Sequence, residues 1–405
     1  MSHRPNGSSS DGLGGVSSSA PLSVITMLSP AERQVLILGI ALLLGGGCGG
    51  PVEPNLRAAD LILVGLESGR LLLVDSRMPA VVGEIGPRGY PTRGEVVSRD
   101  GNRLFFSGKY PDASWKLVAV DLSARRPLWE LDQATPQGTI PSYNGVKLIP
   151  GSDALAVSSD GVVLYVNPAA QGTTTGIAVL DITTREVRGF WGPILSSGMT
   201  TLSGSAAADT LVVIGTRTAD DDLIRDSVYV LRTGVSFEVL RVIPPPPGST
   251  QIWSVARASG LSFYAAGNNT IGVYDLASNG YSAVRSRQGF GAAVSSHDGS
   301  MVVLPDPGDP PTAPTGLLPV LGAGLQPGRI VDLRSLSTSS VPPATTHVAF
   351  SPTATELFVT AGSTHIRQDF NPEPGRLVIV DYLTGAVRGT LNLQDWGHAR
   401  VFTLP

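Results

Sequence analysis

From residue 60 onward the apolar residues fall in short runs of four to seven, rich in Val, Leu and Ile and punctuated by Gly, Asp, Asn and Pro. Runs this short, bounded by turn formers, predict strands and leave little that asks to be a helix. Several are apolar at consecutive positions, as in Leu71-Leu72-Leu73-Val74, Leu211-Val212-Val213-Ile214 and Leu377-Val378-Ile379-Val380. A strand with one wet face alternates; a strand covered on both faces reads as a continuous run. The runs also recur as a unit: an apolar strand, a tight turn, a second strand, then a third ending in Asp. It is clearest in Leu357-Phe358-Val359-Thr360, Gly375 through Asp381, and Thr384-Gly385-Ala386-Val387. The same third-strand ending is expected at Asp75, Asp121, Asp181, Asp275 and Asp332. The spacing is roughly 45–60 residues, the signature of a repeat architecture.

The first strands end in a recurring turn: Ser98-Arg99-Asp100-Gly101, Ser158-Ser159-Asp160-Gly161 and Ser296-His297-Asp298-Gly299, with shorter forms at Ala258-Ser259-Gly260 and Ser351-Pro352-Thr353-Ala354. Asp-Gly supplies the positive φ that a tight hairpin needs. Aligned on these turns, the chain divides into modules near 61–85, 94–131, 153–192, 199–243, 252–286, 290–342 and 346–393. Seven four-stranded sheets, each sandwiched between its neighbours, make an all-β propeller. The first module lacks an opening strand, and residues 399–404 read as one. The C-terminal segment is therefore expected to complete the first blade and close the ring, leaving no open sheet edge there. Module four has Arg232 where Asp is expected.

Leu164-Tyr165-Val166-Asn167 and Leu357-Phe358-Val359-Thr360 resemble the motif of YVTN-type, WD40-like β-propeller repeats. The strand pair Gly176 through Asp181 with Thr184 and Val187, repeated at Gly375 to Val387, is similar to that family's next element. The resemblance implies a seven-bladed propeller, usually extracytoplasmic, and no single activity.

Cys48 is the only cysteine, so no intramolecular disulfide forms and no cysteine nucleophile is expected. Largely apolar residues 35–44 follow Arg33 and lead through Gly45-Gly46-Gly47 to Cys48. That run is too short for a spanning helix of roughly 20 residues and suits a secretory signal. It resembles a bacterial lipoprotein signal, which implies lipidation of Cys48. The expected organisation is a leader at 1–47 (with Met27 an alternative start), a tether at 48–59 and the propeller at 60–405. The implied address is the bacterial cell envelope, with the chain held at the outer membrane, in the periplasm or at the cell surface.

Charged residues are 15% of the chain and the net charge is −4, which gives no basic footprint for nucleic acid. No Gly-rich phosphate loop or nucleophile elbow follows a strand. The recurring aspartates are expected to hydrogen-bond turn amides, not to catalyse. Asp220-Asp221-Asp222 with Asp226 is the densest acidic cluster, but it lacks the spaced ligands of an EF-hand and offers at most weak calcium sites at Asp220, Asp222 and Asp226. His347 and His398 begin inner strands, yet alignment of Phe350 with Phe402 sets them one position apart and so on opposite sides. The places equivalent to His347 then become Gly94, Ala154, Ser254, Ala292 and Ala399, a narrow axis of small residues with no metal cage. No cofactor and no resident metal are expected.

Turns from first to second and from third to fourth strands are short. The long connections, at 109–115, 167–176, 216–227, 305–328, 361–375, 132–152 and 244–251, belong to the other two types, which share one end of a propeller. That end is the expected binding face, with Trp115, Tyr143, Arg225, His365, Arg367, Asp369 and Phe370 as candidates. The resulting expectation is a monomeric, non-catalytic binding or scaffold module for a protein or extracellular ligand, touching the membrane only through its anchor. The alternative is an envelope hydrolase or lyase of the lactonase-like propeller kind, which needs acids, histidines or arginines converging on one channel mouth.

Overall fold

The computed structural model describes residues 60–66, 70–85, 90–98, 100–109, 115–132, 142–143, 146–147, 154–167, 176–192, 195–202, 210–219, 222–233, 237–286, 291–306, 314–337, 342–362, 375–393 and 399–403. The chain divides into the units Met1–Asn55 and Leu56–Pro405, and the fold below is that of the second. In chain order its strands begin with β1 (Leu61–Gly65), β2 (Leu71–Asp75) and β3 (Ala80–Ile85). Blade two holds β4 (Tyr90–Val97), β5 (Arg103–Lys109), β6 (Trp115–Asp121) and β7 (Arg126–Asp132), followed by a small ribbon of β8 (Ser142–Tyr143) and β9 (Val146–Lys147). Blade three holds β10 (Leu155–Val157), β11 (Val163–Val166), β12 (Ile177–Asp181) and β13 (Val187–Trp191). Blade four holds β14 (Leu195–Leu202), β15 (Thr210–Ala219), β16 (Asp222–Arg232) and β17 (Glu238–Ile243). Blade five holds β18 (Ile252–Arg257), β19 (Ser262–Gly267), β20 (Thr270–Asp275) and β21 (Gly280–Ser286). Blade six holds β22 (Val294–Ser295), β23 (Val302–Val303), β24 (Leu317–Leu321) and β25 (Pro327–Asp332). Blade seven holds β26 (Ala344–Phe350), β27 (Glu356–Gly362), β28 (Arg376–Asp381) and β29 (Val387–Asn392), and β30 (Arg400–Thr403) ends the series.

These strands form seven four-stranded antiparallel sheets, and β30 joins the first in the order β3-β2-β1-β30. The closing strand pairs Ile62 with Thr403, Leu63 with Phe402 and Val64 with Val401. Consecutive apolar positions are explained by where they point. Along β1, Leu61 and Leu63 pack with Leu104, Phe106 and Val118 of blade two, while Ile62 and Val64 pack with Ala349, Phe358 and Ile379 of blade seven. Each of the seven apolar clusters among the described residues lies at one seam between neighbouring blades. The closing strand serves two seams at once, with Val401 in one and Phe402 in the other. Fourth strands lie outermost and alternate or face water, as in β29.

The turns follow from their residues. Gly101, Gly161, Gly260 and Gly299 hold φ between 63° and 72°, as the Asp-Gly reading predicts. In the first-strand turns Ser98, Ser158 and Ser296 each donate to the Asp two residues on, at 2.6 Å. The third-strand aspartates accept from turn amides: Asp181 from Thr183 and Thr184 at 2.7 Å, Asp381 from Leu383 and Thr384 at 3.0 Å. Four residues beyond the Asp the chain again takes positive φ, at Arg125, Arg185, Asn279 and Gly385, next to a register shift in the ladder. That is a type I turn closed by a G1-type bulge.

The two kinds of short turn share one end of the ring. Leu122 N–H donates to Asn102, Ile182 to Val162, Leu276 to Leu261 and Tyr382 to Thr355, in each case from one turn to the other within a blade. In blade one Ser76 N–H donates to Asp60 in the same manner, at 2.8 Å. Asp60 therefore stands where other blades have their first turn, and the gap between Thr403 and Asp60 is that turn left open.

Several expectations are corrected. Asp332 lies at the end of the fourth strand, paired with Leu317, so blade six has no third-strand aspartate; its third strand ends at Leu321 and turns through Gly322. The stretch 305–328 is not one long connection, since it contains β24. The expected loop 216–227 is largely ladder, with Arg217 opposite Ile224, Thr218 opposite Leu223 and Ala219 opposite Asp222. Its β-branched residues continue the hairpin outward. Arg232 does replace the third-strand Asp of blade four, opposite Thr210, and pairs with Glu238 at 2.8 Å.

Candidate functional site

The seven innermost strands, β4, β10, β14, β18, β22, β26 and β30, line an axial channel. Toward the short-turn end it opens into a chamber of about 460 Å³ bordered by Val97, Val157, Thr201, Arg257, His297 and Phe402. Toward the other end lies a chamber of about 320 Å³, bordered by Ala154, Gly198, Trp253, Ser254, Ala292 and His347. Glu95 and His347 line both chambers and so mark the waist between them.

At the waist three blades contribute charge. Glu95 of β4 accepts from Arg400 of β30 at close range, and His347 Nε2 of β26 lies 3.3 Å from the other carboxylate oxygen. Val401 N–H donates to His347 Nδ1 at 3.3 Å, which places the ring proton on Nε2, facing Glu95. The His347 ring also sits 5.8 Å from that of Phe402. The Glu95 side chain is only 11% exposed. Burial works against its charge, but the Arg400 guanidinium and the hydrogen bonds from His347 and Arg400 outweigh it and bring the carboxyl from 4.5 down to about 2. The remaining wall of the smaller chamber is small or neutral: Ala154, Gly198, Ser254 and Ala292.

The expected ring of small residues is thus found on one side of the axis and corrected on the other. His347 lies opposite Thr360, and Arg400 lies opposite Gly65. Thr360 and Gly65 in turn face Leu377 and Leu71, each four residues before its third-strand Asp. Arg400, not Ala399, therefore occupies the His347 place, and matching Phe402 to Phe350 displaced the register by one. The offset once expected between His347 and His398 goes with it; His398 lies outside the described residues. Glu95 and Arg400 escaped the sequence reading. Their signal was a charged residue opening the apolar inner runs Glu95-Val96-Val97 and Arg400-Val401-Phe402.

The recurring aspartates are turn-formers as expected, and the carboxyls of Asp100, Asp121, Asp160, Asp181, Asp275, Asp298 and Asp381 lie below the usual range. For Asp100, Asp160 and Asp298 the leading cause is the hydroxyl of Ser98, Ser158 or Ser296. For Asp381 the Thr384 amide leads, against burial, and brings it to about 2.

Among the long-loop candidates, Trp115 opens β6, Tyr143 lies in β8, and Arg225, Asp222 and Asp226 fall on β16; their side chains lie outside the described set. Cys48, Asp220, His365, Arg367, Asp369 and Phe370 lie outside the described residues altogether. Among the described residues no three His, Cys, Asp or Glu side chains group as metal ligands, and no helix is long and apolar enough to cross a membrane.

No protein-family model and no curated protein matches the chain. Solved structures do. The β-propeller domain of Myceliophteria thermophila Cps50 (Swd1) is similar over 75% of this chain and 88% of its own, with TM-score 0.50 and 11% identity. The dihydro-heme d1 dehydrogenase NirN, solved in complex with DHE, is similar over 86% of this chain and 76% of its own, with TM-score 0.50 and 13% identity. At such identities the likeness is one of fold: this chain is a seven-bladed β-propeller.

Proposed function

We propose that the protein is a lipid-anchored bacterial envelope propeller that works as a non-catalytic binding or scaffold module through its long-loop end. The observation that carries the non-catalytic part is the self-satisfaction of the waist. Glu95 accepts from both Arg400 and His347, and Val401 occupies the second nitrogen of His347. A general base must reach a substrate proton with a free lone pair; here both nitrogens of His347 are engaged, and Glu95 is held ionised between two donors of the fold. The envelope address rests on the lipoprotein-like approach to Cys48 and on the YVTN-like repeats at Leu164–Asn167 and Leu357–Thr360, a family usually found outside the cytoplasm.

The expected outcome for the anchor is that wild-type protein partitions into the detergent phase of a phase-separating extract, whereas Cys48→Ser moves to the aqueous phase. For the binding face, Trp115, Tyr143 and Phe370 changed together to Ala should abolish capture of partners from envelope extracts while leaving the melting temperature in place; undiminished capture sinks it. The rival reading, a hydrolase or lyase, draws on the same convergence of three blades. Turnover of ester or lactone substrates by purified protein, lost in both Glu95→Gln and His347→Gln, would carry that reading instead.

A further inference from the structure

We infer that prolines 244–247, in the connection from blade four to blade five, form a rigid polyproline ridge that docks into the aromatic-lined groove of a partner protein. The inference deepens the binding role proposed above, on which it rests, by naming one connection and the chemistry that meets it. Four consecutive prolines leave the chain little choice of shape. Each ring fixes φ near −65°, and each proline that precedes another is pushed to an extended ψ. Those angles make the left-handed polyproline helix, with three residues per turn. The run ends where Ser249 N–H donates to the Pro246 carbonyl at 2.9 Å and Gly248 takes a φ of 90°. That is a type II turn with Pro247 in its second place, so the fourth proline keeps the extended ψ of the others.

The scaffold grips the ridge from one side. Ile243 and Pro246 are buried, whereas Pro244 and Pro247 are exposed, so burial follows the period of three. Pro246 and the Tyr281 ring both sit over Gly272 of β20, where a Cβ would lie 2.5 Å from the ring and 3.0 Å from Pro246. Tyr281 Oη donates to the Pro244 carbonyl at 2.8 Å, and Thr270 Oγ1 donates to that of Pro247 at 3.0 Å. The two outward rings stand about 9 Å apart, one turn of the helix. Pro245 lies between them, half-buried, and its carbonyl has no partner among the described residues.

Such a ridge is specific about what covers it. Two pyrrolidine rings one turn apart stack on flat aromatic faces, and a carbonyl between them accepts from a donor such as an indole N–H. Charge plays no part in the contact. Of residues 240–256 only Arg241 is charged, and its guanidinium donates to Asn279 in the third-to-fourth turn of blade five. A phosphate surface, lipid or nucleic acid, therefore finds no cation on the ridge. A groove lined by Trp and Tyr is the complement that remains. Because the prolines hold the bound shape before contact, docking has little chain left to order.

An SH3, a WW and an EVH1 domain serve as probes, each isotope-labelled and titrated with the unlabelled full-length protein. The expected result is saturable NMR shifts at the groove aromatics of at least one probe. Pro244→Ala/Pro247→Ala should weaken that binding about ten-fold or more, with the melting temperature of the propeller kept. If the double variant melts early, Pro247→Ala alone should still weaken binding several-fold. Absence of groove shifts from all of the probes overturns the inference. So does binding that is as tight in the proline variants as in the wild type. Self-association of the wild type in sedimentation, lost in the double variant, assigns the ridge to a second copy and overturns it too. The triple alanine variant of Trp115, Tyr143 and Phe370 separates this inference from the broader reading. Loss of envelope capture in that variant, with no groove shifts from the wild type, removes the ridge and leaves the proposed face standing. Groove shifts that persist in a triple variant whose capture is undiminished keep the ridge and remove those aromatics.

Discussion

Blade seven and blade one are built to one pattern but assembled differently. Blade seven takes its four strands from one continuous stretch, whereas blade one borrows β30 from the far end of the chain. At the other seams the side-chain bonds among the described residues have at most one charged partner: Trp129 Nε1 to the Ile182 carbonyl at 3.1 Å, Tyr264 to the Gly299 carbonyl at 3.0 Å, Arg285 to the Leu325 carbonyl at 3.5 Å. Around the borrowed strand one bond is an ion pair, from Arg400 of the closing strand to Glu95 of blade two, and Glu95 also holds His347 of blade seven. A seam without chain continuity gains most from a bond whose partners are costly to separate, since a buried carboxylate without its partners is heavily penalised. The network reads as a latch across the closure.

Removing residues 399–405 should break the comparison outright. Val401 and Phe402 leave two seams, and β1 becomes an open edge. The loss is about 4–6 kcal/mol, read as a collapse of the calorimetric melting temperature. Shortening the connection 363–374 should hardly move it. Next comes Glu95→Gln, with an expected loss of about 2–3 kcal/mol because Arg400 and His347 then face a neutral amide in place of a carboxylate. The same variant should alter the acid limb of stability. The folded Glu95 carboxyl sits near 2, below its ordinary 4.5. Its contribution is therefore complete above about pH 5 and is lost as pH falls toward 2. Urea titrations at stepped pH should show a flatter acid limb in the variant; an unchanged limb would remove Glu95 from the latch.

Smaller effects test whether the seams differ in tightness at their turns. A Cβ on Gly299 would lie 2.4 Å from the backbone of Ala258 in the next blade, whereas one on Gly161 meets nothing within 4 Å. Gly299→Ala should cost about 2 kcal/mol and Gly161→Ala about 1, the latter from φ alone. Equal losses would mean that turn strain, not seam contact, dominates both. Smallest of all, Arg185→Gly should raise stability by about 0.5–1 kcal/mol, visible as a modest rise in melting temperature.

The ring was legible in the sequence because each blade repeats local chemistry: Asp-Gly turns, Asp-ended strands and continuous apolar runs. Blade four departs by its Arg232, and blade six departs further. Its third strand, β24, carries Pro319 and ends without Asp, so it read as loop, and Asp332 was matched to the wrong strand. The closing strand was legible, but its register was not, since Phe402 and Phe350 looked alike while the ladder aligned Arg400 with His347. The waist stayed hidden for the same reason. Its three charged residues are some 50 to 300 positions apart, at 95, 347 and 400, and meet only once the ring is closed in the correct register. No local pattern encodes such a meeting.

The open first turn of blade one also sets an order of events. Strands β1 to β3 are the first of the ring to leave the ribosome, and they cannot be finished until residues near 400 arrive. Until then Leu63, Val64 and the β1 backbone stand bare. Any interruption of synthesis leaves the molecule with an open edge and an unlatched channel. The last few described residues thus decide whether the ring is finished: a chain that lacks them leaves the edge of β1 open.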